Sequence, residues 1–256
     1  MFLPRWFQVV AGSSATVSGY QMLPLLGGLI VSAVVSGQVV SRTGRYRMLI
    51  FGALVAMTSG LFMLTQLRAE TPIPVLWAWM FVTGLGVGPT FAVFPLIVQN
   101  SVAVRQIGTA TSNLTFFQQV GGTVGLAITG TIFASSMTEE LPRQIGSAGI
   151  PSEVGGALAG SGGGLDGLTG VGDMGSALLA SIPEGVRAQV EPYVPAIVAA
   201  IHEAFSIATS STFVIGIGAT ALAAGLSLLL REAPAPASEP ESDARLSPGT
   251  QTPSTT

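Results

Sequence analysis

The sequence predicts an all-α membrane protein with five complete transmembrane helices plus the end of a sixth. Three observations carry this reading. Only 9% of the 256 residues are charged, against about 25% in an ordinary soluble domain. Hydrophobic residues make up 48% of the chain, and the mean hydropathy is +0.63. Apolar runs of about 18 residues or more, enough to cross roughly 30 Å of hydrocarbon as helix, recur along the chain.

The first element, Phe2 to Ala11, is apolar except for Arg5 and Gln8 and is too short to span. It reads as the last turns of a helix rather than as a signal peptide, because no basic segment precedes a continuous apolar core. Five charge-free runs follow: Gly19 to Val40, Met48 to Leu67, Pro74 to Gln99, Ile107 to Ser136 and Phe205 to Leu230. Backbone groups in lipid must be satisfied within the segment, which makes these runs helices. None alternates with the period of two that a membrane barrel strand needs. Residues 1–136 are therefore read as the partial helix and four spans, and 205–230 as the last span.

Residues 137–204 are read as an external loop rich in glycine and acids. Ten of the 21 residues from Gly155 to Gly175 are glycine, a composition that buries too little apolar surface to offset chain entropy. Near its end Val186, Val190, Val194, Ile197, Val198 and Ile201 recur at helical spacing, which predicts an amphipathic helix, bent by Pro192 and Pro195. The tail, 231–256, is rich in proline, serine and threonine and is read as disordered.

Arginine placement sets the orientation. Arg42, Arg45, Arg47, Arg105 and Arg231 fall on one side if the five helices alternate, and that side is predicted to be cytoplasmic, with the C-terminus. Trp77 and Trp79 then stand at the outer end of the third span, either in an aromatic belt or filling the bundle.

Composition also removes whole classes of chemistry. The net charge is −3, and all ten basic residues are arginine, so no basic face for nucleic acid is expected. Without cysteine there is no disulfide, zinc ribbon or thiol nucleophile. One histidine, His202, cannot build a histidine metal cluster, and no serine, histidine and acid trio shares a membrane depth. No catalytic residue, metal or cofactor is expected, and no ionisable group lies inside the five spans.

Small residues mark where helices can approach. Gly28, Ser32 and Ser36 repeat four apart, as do Gly84 and Gly88, and Gly121 and Gly125 beside Gly122; such spacing lets backbones meet. In the fourth span Ser112, Thr115, Gln119 and Gly122 share one face, and Gln118, Gly121, Gly125 and Thr129 the adjoining one. Phe116, Phe117, Val120 and Val124 lie opposite. Asn113, Gln118 and Gln119 are candidate lining of a substrate cavity; for the two glutamines, hydrogen bonding between helices is the competing reading. Pro89 and Pro95 are predicted to bend the third span.

The loop Gly37-Gln38-Val39-Val40-Ser41-Arg42-Thr43-Gly44-Arg45-Tyr46-Arg47 resembles the signature loop of the major facilitator superfamily. Ser41 stands where that family often has an acid. Leu23-Pro24 and Gly84-Leu85-Gly86-Val87-Gly88 fit the same family, and Phe117-Gln118-Gln119-Val120-Gly121-Gly122 resembles its fourteen-helix drug:proton antiporter branch, which usually has arginine in place of Gln118. The resemblance implies the C-terminal half of such a fold, with the N-terminal half outside this chain as its partner. It implies efflux of small hydrophobic compounds, driven by a proton gradient, from a multi-pass position in a bacterial inner membrane. Gly37, Arg42, Gly44, Arg45 and Arg47 would form its cytoplasmic gating loop. The alternative is a non-transporting membrane protein whose small-residue faces dock a partner's helices; a pairing of two copies is a third reading.

Overall fold

A computed structural model describes residues 2–44, 46–149, 187 and 190–229. Residues 150–186 and 188–189 of the predicted loop and the whole tail lie outside the described residues, as does Arg45. Among the described residues the structure is helical, with no strand. Its helices are α1 (Phe2–Val9), α2 (Ala15–Tyr20), α3 (Leu23–Thr43), α4 (Arg47–Leu64), α5 (Ile73–Asn100), α6 (Ile107–Ser147) and α7 (Val194–Ser227). Five segments are long and apolar enough to cross a membrane, the first formed by α2 and α3 together.

Local chemistry explains the ends. Gly12 and Gly44 take the left-handed conformation, with φ of 62° and 65°. A side chain is strained there, and the amide of Gly44 closes α3 onto the carbonyl of Val40. Ser14 caps α2, its hydroxyl accepting from the amide of Val17 at 3.3 Å. Pro24 sits at the first turn of α3, where its missing N–H costs nothing.

Two helices run beyond the spans read from the sequence. The helix that carries the fourth span does not stop at Ser136: α6 runs on to Ser147 and contains Pro142. The helix that carries the last span starts at Val194 and continues unbroken through Phe205. Pro192 stands in the short 3-10 turn Glu191–Tyr193 and Pro195 in the first turn of α7, where proline is tolerated; the stretch before Val190, where the amphipathic helix is expected to begin, lies largely outside the described residues.

The bundle is centred on α5. Helices α3 and α5 run parallel, with Gly84 against the backbone of Leu25 and Leu29, Gly88 against Leu29 and Ser32, and Gly28 against Phe81 and Leu85. On its other side α5 runs antiparallel to α4, with Gly60 against Thr83 and Gly86 against Met57. Helix α7 then closes on α4 through Thr58 and Thr220, whose hydroxyls are 3.0 Å apart, and on α6 through Ser136 and Ser211 at 2.9 Å. Most hydroxyls in the helices also bond to a carbonyl one turn back, as Thr83 does to Trp79 at 2.8 Å and Ser206 to His202 at 2.7 Å. That local bond is what makes a hydroxyl tolerable in an apolar setting.

The buried side chains gather at two ends. One end holds Trp6, Phe7, Leu61, Leu64, Leu67, Leu76, Met80, Met137 and Phe205, drawn from α1, α4, α5, α6 and α7. The other holds Val40, Ile50, Leu54, Val93 and Ala224, from α3, α4, α5 and α7. Helix α6 takes part in the first, packs Leu141 and Ile145 against a third, smaller cluster of Val190, Ile197 and Ile201, and takes no part in the second.

The glycine seam gives a direct test. At Gly84 and Gly88 a single methyl would meet the α3 backbone, while at Gly121 it meets nothing. Gly84→Ala and Gly88→Ala should each destabilise the chain by about 1–3 kcal/mol, despite alanine's better helix propensity. Gly121→Ala should be neutral or stabilising by up to about 1 kcal/mol. Unfolding in mixed detergent micelles reads both; equal stability for all three variants contradicts the seam.

Candidate functional site

The candidate site is the middle of α6. Every residue from Thr115 to Val124 is exposed, including both glutamines, Gly121 and Gly122. Phe116 and Phe117, at 61% and 70% exposure, touch each other edge to face with centroids 5.6 Å apart. A Cβ added at Gly121, Gly122 or Gly125 would find open space, so the packing role expected of these three glycines is not used by the described helices. The Gly84–Gly88 pair, by contrast, is filled.

The exposure has a mechanical origin. Half-buried residues of α6, among them Leu114, Gly125, Thr129, Ile132 and Ser136, form one stripe toward its neighbours. At about 100° per residue, Gln118 and Gly121 fall in line with that stripe. Both are nonetheless uncovered, so α6 parts from its neighbours at mid-helix and Gln118 stands over the gap. Gln119 lies on the adjoining free face. Asn113 is also exposed, but it emerges roughly 120–140° around the axis from the glutamines, on the side of Phe117 and Val120. The three candidate cavity residues are therefore on one helix and not on one face.

The opposite end of α6 is firmly held. Phe133 stacks between Phe2 and Phe205, with ring centroids 5.2 Å from each. Trp6 donates its indole N–H to Ser206 Oγ at 2.8 Å inside the bundle, joining α1 to α7. At the same end Glu203 closes the α4–α5 connection: it accepts from the amide of Ala69 at 3.1 Å and pairs with Arg68 at 3.6 Å. The Arg68 amide in turn donates to Thr71 Oγ1 at 2.9 Å. Sequence reasoning named none of these contacts. The available signal was the recurrence of Ser206, Thr209, Ser210 and Thr212 in one helix; serine and threonine in a span commonly serve helix contact.

The arginine loop has a different geometry. Gly37 is half-buried on α3, and Gly44 ends that helix. Arg42 is exposed in the last turn of α3, where a cation complements the helix dipole. Arg47 opens α4, half-buried, with its Nε shielded from solvent and unbonded. Ser41, at the position of the family acid, donates to the Gln38 carbonyl at 3.0 Å. Arg42 and Arg47 form no ion pair among the described residues. Of the tryptophans, Trp77 is exposed and Trp79 is half-buried against the core. Among the described residues no three of His, Asp and Glu gather to hold a metal.

A bundle of apolar helices, with hydroxyl contacts inside it and one glycine- and glutamine-bearing helix held at one end, defines a multi-pass helical membrane protein. The family model for the Major Facilitator Superfamily matches residues 1–126. The chain is 33% identical over 150 residues to an uncharacterized MFS-type transporter of Mycobacterium tuberculosis, an alignment covering 59% of this chain and 22% of that protein. To the multidrug transporter protein MdtP of Bacillus subtilis it is 34% identical over 131 residues, 51% of this chain and 24% of the relative. Multidrug resistance protein 3 of Bacillus subtilis is 29% identical over 153 residues, 58% and 30% of the two chains. No solved structure matches. Over residues 1–126 the chain is similar to the major facilitator superfamily. It spans about a quarter of the length of the curated relatives it matches.

The Glu203 clasp generates a prediction. Glu203→Ala should speed hydrogen exchange across 68–71 while costing about 1 kcal/mol or less in stability, because Arg68 is half exposed. Unchanged exchange at these amides contradicts the clasp.

Proposed function

We propose that this chain forms part of an efflux transporter for small hydrophobic compounds, in which the uncovered middle of α6 lines the substrate path. The exposed Gln118 over the parted face of α6 is the observation that carries it. A glutamine facing hydrocarbon is costly, whereas one facing a watery cavity keeps its hydrogen bonds. The printed names of the Bacillus subtilis relatives, a multidrug transporter and a multidrug resistance protein, support the efflux reading.

Transport in this superfamily uses two halves related by an axis along the membrane normal, which rock around a midplane site. In this proposal the second wall of the cavity is an N-terminal half supplied by polypeptide outside the described helices. Phe116, Phe117, Val120 and Val124, on the bulky side of α6 away from the glutamines, meet lipid or apolar neighbours. The runs 19–40, 48–67, 74–99, 107–136 and 205–230 hold no Asp, Glu, Lys, Arg or His, so in this proposal the proton-coupling acid belongs to the other half. Arg42, Arg45 and Arg47 gate the cytoplasmic side. The protein sits in a bacterial inner membrane with its C-terminus inside, as a member of the fourteen-helix branch.

A second reading is favoured by the same exposure: the glycine face of α6 docks a partner's helix in a protein that transports nothing. The test is drug efflux in a pump-deficient host that expresses the chain with any in-frame upstream coding sequence. Gln118→Leu and Gln119→Leu should change the drug profile several-fold with insertion intact. An unchanged profile with lowered stability supports docking instead. In the same assay Arg42→Ala and Arg45→Ala should slow efflux without preventing insertion; wild-type rates in both contradict a gating role.

A further inference from the structure

We propose that the arginine end of the bundle, where the α3–α4 and α5–α6 connections adjoin, binds the head group of an anionic phospholipid. This rests on the helices lying in a bilayer, and not on transport. Because α3 and α5 run parallel, with Gly28 beside Leu85 and Gly88 beside Ser32, their C-terminal ends lie side by side. Arg42 in the last turn of α3, Arg47 in the first turn of α4 and Arg105 in the turn Val104–Gln106 come from these neighbouring connections.

Among the described residues no carboxylate pairs with this charge. Residues 1–138 contain one carboxylate, Glu70, in the α4–α5 connection at the opposite end. Both ion pairs among the described residues, Arg68–Glu203 and Arg143–Glu140, are at that opposite end too. Ser41 is turned back onto its own helix. Arg47 Nε is shielded from solvent with no acceptor. A donor left in that state is unfavourable, and a phosphate oxygen is an acceptor that the guanidinium fork fits.

The approach to the arginines is apolar, which favours a lipid over a soluble anion. Val31 and Val35 are exposed on α3 and share one row of that helix with Arg42. Met48, 71% exposed, stands next to Arg47. A cationic rim at the end of an exposed apolar track suits a molecule with an acyl chain and an anionic head. Basic groups between spans at the membrane surface attract such lipids by charge.

The test presents the full-length chain, in mixed micelles, with equal amounts of phosphatidylglycerol and phosphatidylcholine. Native mass spectrometry reads the ratio bound. The wild type should prefer phosphatidylglycerol. The preference should fall about fivefold for each arginine replaced in an Arg42→Gln, Arg47→Gln, Arg105→Gln series, and Arg68→Gln at the opposite end should leave it unchanged. If the triple variant does not fold, Arg105→Gln alone, at an exposed turn, carries the same expectation. An undiminished preference in these variants overturns the proposal. So does displacement of the lipid by soluble glycerol phosphate, which would mark a free-anion site. Loss of preference only when a carboxylate-bearing polypeptide co-purifies would assign the arginines to protein contact and also overturns it. Carbonate extraction of the chain from membranes would fail the bilayer reading itself, a result separate from an inserted chain without lipid preference.

Discussion

Everything in this bundle hangs on the close parallel contact of α3 and α5. Gly28, Gly84 and Gly88 bring two backbones together so tightly that an added methyl on any of them would strike the neighbouring chain. In lipid no difference in solvation drives two apolar helices together, so packing of this kind is what holds them. Once α5 is placed against α3, its other side takes α4 through Gly60 and Gly86. Helix α7 is then fixed on α4 by the hydroxyls of Thr58 and Thr220.

Helix α6 is the exception, and function follows from that. Its C-terminal part is held by aromatic contact at Phe133 and by the Ser136–Ser211 contact. Its other end is absent from the buried cluster formed by α3, α4, α5 and α7. A helix pinned at one end and uncovered at mid-length presents its glutamines and glycines to something other than these neighbours. In the proposed transporter that something is the substrate path; in the competing reading it is a partner helix.

Much of this was legible in the sequence, for identifiable reasons. The spans follow from long apolar runs, because the thickness of hydrocarbon sets a minimum helix length. The glycine spacing in α3 and α5 marks the seam. The same spacing in α6 reads identically in the sequence yet meets only open space, because glycine spacing records the ability to approach and not the presence of a neighbour. Helix ends were less visible. Pro195 lies in the first turn of α7 and Pro192 in the 3-10 turn before it, since proline is compatible with a helix start or a bend and only the surrounding fold decides. The Glu203 clasp joins residues 134 positions apart, and no local pattern encodes a contact at that range. Ser41 was visible as the missing acid, but its bond to Gln38 was not.

The 256 residues contain no cysteine, so a single introduced thiol is the only one within them. The central claim, that mid-α6 faces a water-filled substrate path, is tested most directly by labelling Gln118→Cys and Val124→Cys with a membrane-impermeant thiol reagent. The assay uses native membranes that show drug efflux. The account predicts labelling at position 118, slowed by a transported drug, and much weaker labelling at position 124 on the bulky face. Equal protection of both positions, with no response to drug, would contradict it.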